Sequence, residues 1–162
     1  YTTVGSAIDL IQSKVSTLIE KNGIIFNIHL EAKTDAEMKV LIDPDAFSQI
    51  VINLMDNAIK FSKSKDGAPQ NIDVYFERSS AGSGKEQVRF SVRDYGPGID
   101  KANSAKIFDL FYRAGNEMTR TTPGTGIGLA LVSELTTAMG GRLELINHKP
   151  GAEFCIFFQA KS

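Results

Sequence analysis

Only one cysteine, Cys155, occurs in the 162 residues, so no disulfide can form within the chain. That fits a reducing compartment. An excess of one charge is also missing: 18 Lys and Arg face 19 Asp and Glu, for a formal net charge of −1. Bulk electrostatics therefore offers no means of holding nucleic acid or an anionic membrane. No apolar run approaches the ~20 residues that a membrane-spanning helix needs, and no stretch reads as a secretory leader. There is no internal repeat, and residues 79–84 are the only low-complexity stretch. What is left, 42% hydrophobic and 23% charged residues, is the composition of a soluble globular domain long enough for a proper core. The chain starts at Tyr1, without Met, and opens directly into helical pattern. It is expected to be a piece of a longer protein.

The most informative stretch is residues 50–62. Asp43 suits a helix N-cap, and Pro44 suits the first helical position, where its missing N–H costs nothing. At about 100° per residue, Phe47, Ile50, Val51, Leu54, Ala58 and Phe61 spread over a broad apolar arc. Gln49, Asn53, Asp56, Asn57 and Lys60 gather in a narrow stripe opposite. A solvated face is the bland explanation of such a stripe. Solvated faces, however, are usually built from Glu, Lys, Gln and Arg, whereas mid-helix Asn is a poor helix former. Two Asn at i and i+4 project side by side, with Lys60 beyond them, and together they point to a polar site.

Around this helix the periods alternate. Ile8, Ile11, Val15, Leu18 and Ile19 recur at helical spacing until Asn22-Gly23. From Ile24 the period changes to two, with Ile24, Phe26, Ile28 and Leu30 inward and His29 outward as a surface histidine. A short strand over residues 38–42 leads into the central helix. Ile72, Val74 and Phe76 alternate along one later strand, and Val88, Phe90 and Val92 along the next. Their connection contains Gly82-Ser83-Gly84-Lys85, but a phosphate loop would need Gly at 79 and Ser or Thr at 86, where Ser and Glu stand. Asp94 continues the buried parity of Val92, and a carboxylate there is costly unless it meets donors. Tyr95-Gly96-Pro97-Gly98-Ile99 follows, which fits either a tight turn capping the strand or a backbone that approaches a ligand.

Residues 105–111 read as a short helix, and 112–124, with Arg113 and Arg120, as an irregular, lid-like connection. Gly124, Gly126 and Gly128 then open a helix carrying Leu131, Val132, Leu135 and Met139, an arrangement that aims free N–H groups and a helix dipole at one spot and so favours phosphate. Gly140-Gly141 closes that helix, and Leu143 and Leu145, then Phe154, Ile156 and Phe158, form two last strands about a turn at Lys149-Pro150-Gly151. Strands joined by short turns imply a largely antiparallel sheet with helices on one face. Asp94 suits the exocyclic amine of adenine, asparagine oxygens suit Mg²⁺, and Lys60 with the arginines suits phosphates, which together argue for Mg-ATP.

The motifs are specific in combination. Asn53-Leu54-Met55-Asp56-Asn57-Ala58-Ile59-Lys60-Phe61-Ser62 resembles the N box of the sensor histidine kinases, and Asp94-Tyr95-Gly96-Pro97-Gly98-Ile99 resembles their G1 box. Residues 107–113 (IFDLFYR) resemble their F box, and Gly124-Thr125-Gly126-Ile127-Gly128-Leu129-Ala130-Leu131-Val132 their G2 box, all in the family's order. The resemblance implies an α+β fold shared with the ATPase domains of gyrase, Hsp90 and MutL. This is a two-layer α/β sandwich, the Bergerat fold: a mixed, mostly antiparallel sheet, helices packed on one face and a mobile ATP lid. It implies that Asn57 ligates Mg²⁺, that Asn53 positions phosphate or metal, that Lys60 contacts phosphate and that Phe61 packs beside adenine. Asp94 would accept from the adenine amine, with Gly96, Gly98 and Ile99 lining that pocket. Phe111 of the F box, Arg113 and Arg120 would belong to the lid side of the nucleotide site. Gly124, Gly126 and Gly128 would free the lid and supply backbone donors, with Thr125, Ile127 and Leu129 in the same nucleotide-binding loop. Arg120 matches the pattern loosely, and the last glycine motif is degenerate at Pro150-Gly151-Ala152-Glu153.

The resemblance further implies a catalytic and ATP-binding domain spanning residues 1–162, whose phosphoacceptor histidine lies on a separate dimerisation domain. Neither His29 nor His148 stands in the phosphoacceptor context. The partners implied are that dimerisation domain and, through it, a response regulator, with neither nucleic acid nor direct membrane contact. The expected location is cytoplasmic even if the parent protein is membrane-anchored, and the expected state of this piece is a monomer. Autonomous hydrolysis should be poor, because related ATPases carry Glu at the position of Asn53 to activate water, and an amide is no general base. Two rival readings remain: a serine kinase of the same superfamily, distinguishable by acid-stable phosphoamino acid, and a non-catalytic module, distinguishable by failure to bind nucleotide.

Overall fold

A computed structural model describes residues 1–62, 67–100, 104, 106–108 and 128–161. Among the described residues ten elements follow one another: β1 (Thr2–Thr3), α1 (Val4–Asn22), β2 (Ile25–Leu30), β3 (Lys39–Val40), α2 (Pro44–Phe61), β4 (Asn71–Ser80), β5 (Glu86–Asp94), α3 (Gly128–Ala138), β6 (Arg142–Asn147) and β7 (Ala152–Lys161). The strands form one sheet in the order β1-β3-β7-β5-β4-β2, with β6 also paired to β7. Only β2 and β4 run parallel; the other pairings are antiparallel. The expected mixed, mostly antiparallel sheet with helices on one face is what the chain adopts.

The helix ends are those the sequence dictates. Asp43 caps α2, its side chain accepting from the Ala46 N–H at 2.9 Å, with Pro44 in the first turn. Thr3 caps α1 through the Ser6 N–H, and Gly23 ends it in the left-handed conformation. Along α1, Val4, Ala7, Ile11 and Val15 form a single buried seam against α2 and the sheet. β1 is the element that sequence periodicity missed, since two residues are too short to show a period.

Alternation decides the core. Ile72, Val74 and Phe76 on β4, Val88, Phe90 and Val92 on β5, and Phe154, Ile156 and Phe158 on β7 are all buried under the helices. Phe47 of α2 is fully buried and sets its ring edge-on to Phe90, 5.1 Å between centroids, and to Phe158 at 5.9 Å. This aromatic contact locks α2 over the middle of the sheet, and burying such a ring is worth roughly 1.5–3 kcal/mol. Leu30, expected inward, is 40% exposed because β2 is the sheet's outermost strand and Leu30 sits at its end. Among the described residues no helix is long and apolar enough to cross a membrane.

On the opposite face of the sheet, which carries no helix among the described residues, the side chains form a polar web. Arg89 bridges Glu77 and Glu153, Ser91 Oγ donates to Glu153 Oε2 at 2.6 Å, and His148 Nε2 meets Glu153 Oε1 at 2.8 Å. Burial alone would raise the Glu153 carboxyl. The hydrogen bonds from Ser91 and His148, with the Arg89 charge, outweigh it and hold Glu153 below the ordinary glutamate range. Cys155 lies fully buried in the same web, next to Arg89. Nearer the β2 edge, His29 pairs with Asp73 at 2.9 Å, and Tyr95 donates its hydroxyl to the same carboxylate.

Candidate functional site

Between the C-terminal end of α2, the loop after β5, the start of α3 and the start of β7 lies a cavity of about 460 Å³. Asn57 and Phe61 reach it from α2, Asp94, Gly98 and Ile99 from β5 and its loop, and Leu129 from α3. Ile107, Ala152 and Phe154 add apolar wall, and Pro97 and Asp100 of the β5 loop also line it. A slot of this size, mostly apolar with a few convergent polar groups, is the usual form of a small-molecule site.

Asp94 is the polar group at its inner end, only 7% exposed. Its Oδ1 accepts the Gly96 N–H at 3.0 Å, and the Ala152 N–H also serves it. Burial still dominates and raises the carboxyl above the ordinary aspartate range, with the backbone donors, Arg93 and His148 opposing. Side-chain volume is excluded all around it. A Cβ on Gly96 would lie 2.6 Å from the Phe61 carbonyl oxygen, and one on Gly151 would overlap the Asp94 carbonyl. The β5 loop can therefore close against α2 and against the β6–β7 turn only with glycine at both places.

The asparagine stripe of α2 forms the second polar group. Asn53 Nδ2 and Asn57 Nδ2 are both buried and have no hydrogen-bond partner among the described residues. Gly128, the first residue of α3, sits against Asn53, so the start of α3 and the stripe are neighbours. Because a terminal amide offers a donor on one side and an acceptor on the other, this pair suits a phosphate oxygen and a cation equally. A buried amide donor without a partner costs roughly 1–3 kcal/mol, so a ligand that accepts from these two nitrogens would be stabilised here. Lys60 is adjacent but occupied, its Nζ held by Asp56 at 2.8 Å. Phe61, placed by spacing on the apolar arc, is instead half exposed at the cavity rim.

Of the residues picked out in the sequence, the structure thus brings Asn57, Phe61, Asp94, Gly98, Ile99 and Leu129 to one cavity, with Gly96 behind it and Asn53 and Gly128 beside it. Lys60 shares the stripe without lining the cavity. Phe111, Arg113, Arg120, Gly124, Thr125, Gly126 and Ile127 lie outside the described residues, as do most of the short helix and the lid-like connection. Sequence reasoning missed Asn147, at the end of β6, whose side-chain amide clasps the backbone of Ile99. A signal existed: Asn147 has the parity of Leu143 and Leu145, just as Asp94 has that of Phe90 and Val92.

Comparison with known proteins places this geometry. Residues 42–162 match the model of the family described as "Histidine kinase-, DNA gyrase B-, and HSP90-like ATPase". The signal transduction histidine-protein kinase BarA of Escherichia coli is 35% identical over 112 residues, which are 69% of this chain and 12% of that protein. The chain therefore spans about an eighth of that relative's length. The solved catalytic domain of histidine kinase ThkA superposes with a TM-score of 0.76 at 24% identity, covering 98% of this chain and 93% of that one. Full-length ShkA, solved in complex with AMPPNP, gives 0.74 at 27% identity, covering 99% of this chain and 31% of that one.

Proposed function

We propose, from the premise that this chain belongs to the family of histidine kinase-, DNA gyrase B- and HSP90-like ATPases, that it is the ATP-binding catalytic domain of a sensor histidine kinase. In that role it presents the γ-phosphate of Mg-ATP to a histidine on a separate dimerisation domain, in two-component signalling. The observation that carries the reading is the pairing of a buried carboxylate in a largely apolar slot with two asparagine amides on the adjoining helix α2 whose nitrogens have no partner among the described residues.

In this reading Asp94 accepts from the adenine amine, and Ile99, Ile107 and Phe154 sandwich the base, with Phe61 at its open edge. Asn57 holds Mg²⁺ through its amide oxygen, and Asn53 orients metal or phosphate beside it. Lys60, released from Asp56, or the Lys60–Asp56 pair acting together, faces the phosphate chain. The bound metal supplies charge neutralisation along the triphosphate. The chain's own part is positioning, which accounts for most of catalysis in phosphoryl transfer. Arg113, Arg120, Phe111 and the loop from Gly124 through Thr125, Gly126, Ile127 and Gly128 to Leu129 would complete the phosphate side.

Neither histidine of this chain is the nucleophile. His29 and His148 are both engaged by carboxylates on the sheet's far face, Asp73 and Glu153. The phosphoacceptor, the response regulator served and any membrane anchor then belong to other parts of a longer protein, and this piece is a cytoplasmic monomer. With Asn53 where a water-activating carboxylate would be needed, the domain alone should turn over ATP only very slowly.

Titration calorimetry with ADP and with a non-hydrolysable ATP analogue, each with and without Mg²⁺, tests the reading. Micromolar-range binding that strengthens with Mg²⁺ supports it, and phosphotransfer to a supplied histidine domain, giving acid-labile phosphate, completes it. No binding by the folded protein, or acid-stable phosphoserine, overturns it.

A further inference from the structure

Asn147 stands outside every motif discussed so far, yet its side chain makes a two-bond clasp on the loop that floors the cavity. Its Oδ1 accepts the Ile99 N–H at 3.0 Å, and its Nδ2 donates to the Ile99 carbonyl at 2.7 Å. The planar amide thereby mimics a strand partner for one residue of a loop that has no strand of its own. The clasp closes a ring. Gly98 packs on the Gly151 carbonyl, Gly151 packs on the Asp94 carbonyl, and the Asp94 carboxylate binds the Gly96 N–H. Asn147 and Gly151 flank a short β6–β7 turn, itself closed by the His148 N–H to the Gly151 carbonyl at 2.8 Å. Displacing the Ile99 backbone would therefore move both the apolar floor of the slot and the carboxylate at its inner end.

We infer that Asn147 is a positioning residue for base recognition: it fixes Ile99 and, through Gly98 and Gly151, the aim of Asp94. The inference rests on the nucleotide-binding reading above. Its bonds lie at the exposed rim, so their role is orientation of the loop more than stability of the fold. Asp94 distinguishes an amine from a carbonyl at the edge of the base, since a carboxylate accepts from the first and repels the second. Loss of aim should then erase discrimination before it erases binding.

The test compares ADP with inosine diphosphate, which carries a carbonyl in place of the amine, on wild type, Asn147→Ala and Asn147→Asp. The expected result for Asn147→Ala is an ADP affinity weakened about tenfold, near 1.4 kcal/mol, with inosine diphosphate affinity and Tm little changed. Asn147→Asp keeps the acceptor for the Ile99 N–H but loses the donor, and should fall between. An unchanged ADP-to-inosine ratio in the folded variants overturns the inference, as does a proportional loss of both ligands, which would signal general loosening. Should the variants fail to fold, amide hydrogen exchange on the wild type decides: a protected Ile99 amide that ADP protects further supports the clasp, and an Ile99 amide exchanging at the open-chain rate overturns it. If wild type binds neither diphosphate, the nucleotide reading itself falls, a failure distinct from that of Asn147.

Discussion

On the helix side of the β5–β7 pair, Asp94 is buried with its carboxyl raised, and Asn53 and Asn57 keep amide nitrogens without partners among the described residues. On the far side of the same two strands, Glu153 is equally buried but its carboxyl is lowered, because Ser91, His148 and Arg89 all serve it. Two acids with nearly equal exposure, 7% and 5%, thus carry opposite signs of shift. The difference lies in the partners: two backbone N–H groups for Asp94, against a hydroxyl, an imidazole and a guanidinium for Glu153. Satisfied polar groups hold a structure together, whereas under-satisfied ones are a cost that a ligand can relieve.

The comparison breaks if substitutions on the two sides have the same consequence. The largest effect is expected at Asp94. Asp94→Asn should weaken ADP binding at least about a hundredfold while Tm moves little, since the amide retains an acceptor for the Gly96 N–H. Calorimetry alongside thermal unfolding would show it, and a large Tm loss with binding intact would reverse the assignment of the two sides. Glu153→Gln should do the converse, costing about 2 kcal/mol of stability with ADP affinity within about twofold of wild type.

Acid sharpens the contrast. Glu153, being lowered, stabilises the fold fully above the ordinary glutamate range, and that contribution is lost as pH falls through its folded value. Asp94, being raised, favours the fold when protonated, so its own contribution to stability grows as pH falls through its folded value. Nucleotide binding should weaken over that same interval, because the protonated acid is a poorer acceptor. Chemical denaturation and ADP titration across one acidic pH series would separate the two groups, with Glu153→Gln flattening the first curve and not the second.

Smaller effects should follow at the amides and the rim. Asn57→Ala should remove the Mg²⁺-dependent part of ADP affinity and leave stability unchanged or higher by up to about 1 kcal/mol, since it deletes an orphaned donor. A destabilised Asn57→Ala would mean that its amide is satisfied in the free protein. Tyr95→Phe breaks the bond to Asp73 at a surface already tied by His29, and unfolding should register about 0.5 kcal/mol or less.

Much of this was legible in the residues. The Asp43-Pro44 start, the apolar arc of α2 and the period-two runs of β4, β5 and β7 report burial on one side, which is what sequence pattern records best. Asp94 was legible because it violates that pattern at a position where pattern predicts an apolar group. Asn147 violates it in the same way, but a polar residue at a strand's last position reads as the start of a turn. Its role depends on Ile99, 48 positions away in sequence. β1 was illegible for want of length, and Phe61 was misplaced because the arc of a helix says which way a residue faces but not whether anything covers it. The far-face web was invisible for a further reason: Glu77, Arg89, Ser91 and Glu153 look like ordinary solvent-side alternation until the register of three strands brings them together.

Cys155 lies in that web, fully buried, its thiol pushed up to about 11 chiefly by burial, with the Glu153 charge adding to it. At neutral pH almost none of it is thiolate, the form that reacts with maleimides and iodoacetamides. The protein therefore accepts a reporter without first being stripped of its native cysteine. A single cysteine introduced in place of exposed Phe61, at the mouth of the cavity, would take a fluorophore or spin label at that site alone, and the signal would follow nucleotide entry with Cys155 silent underneath.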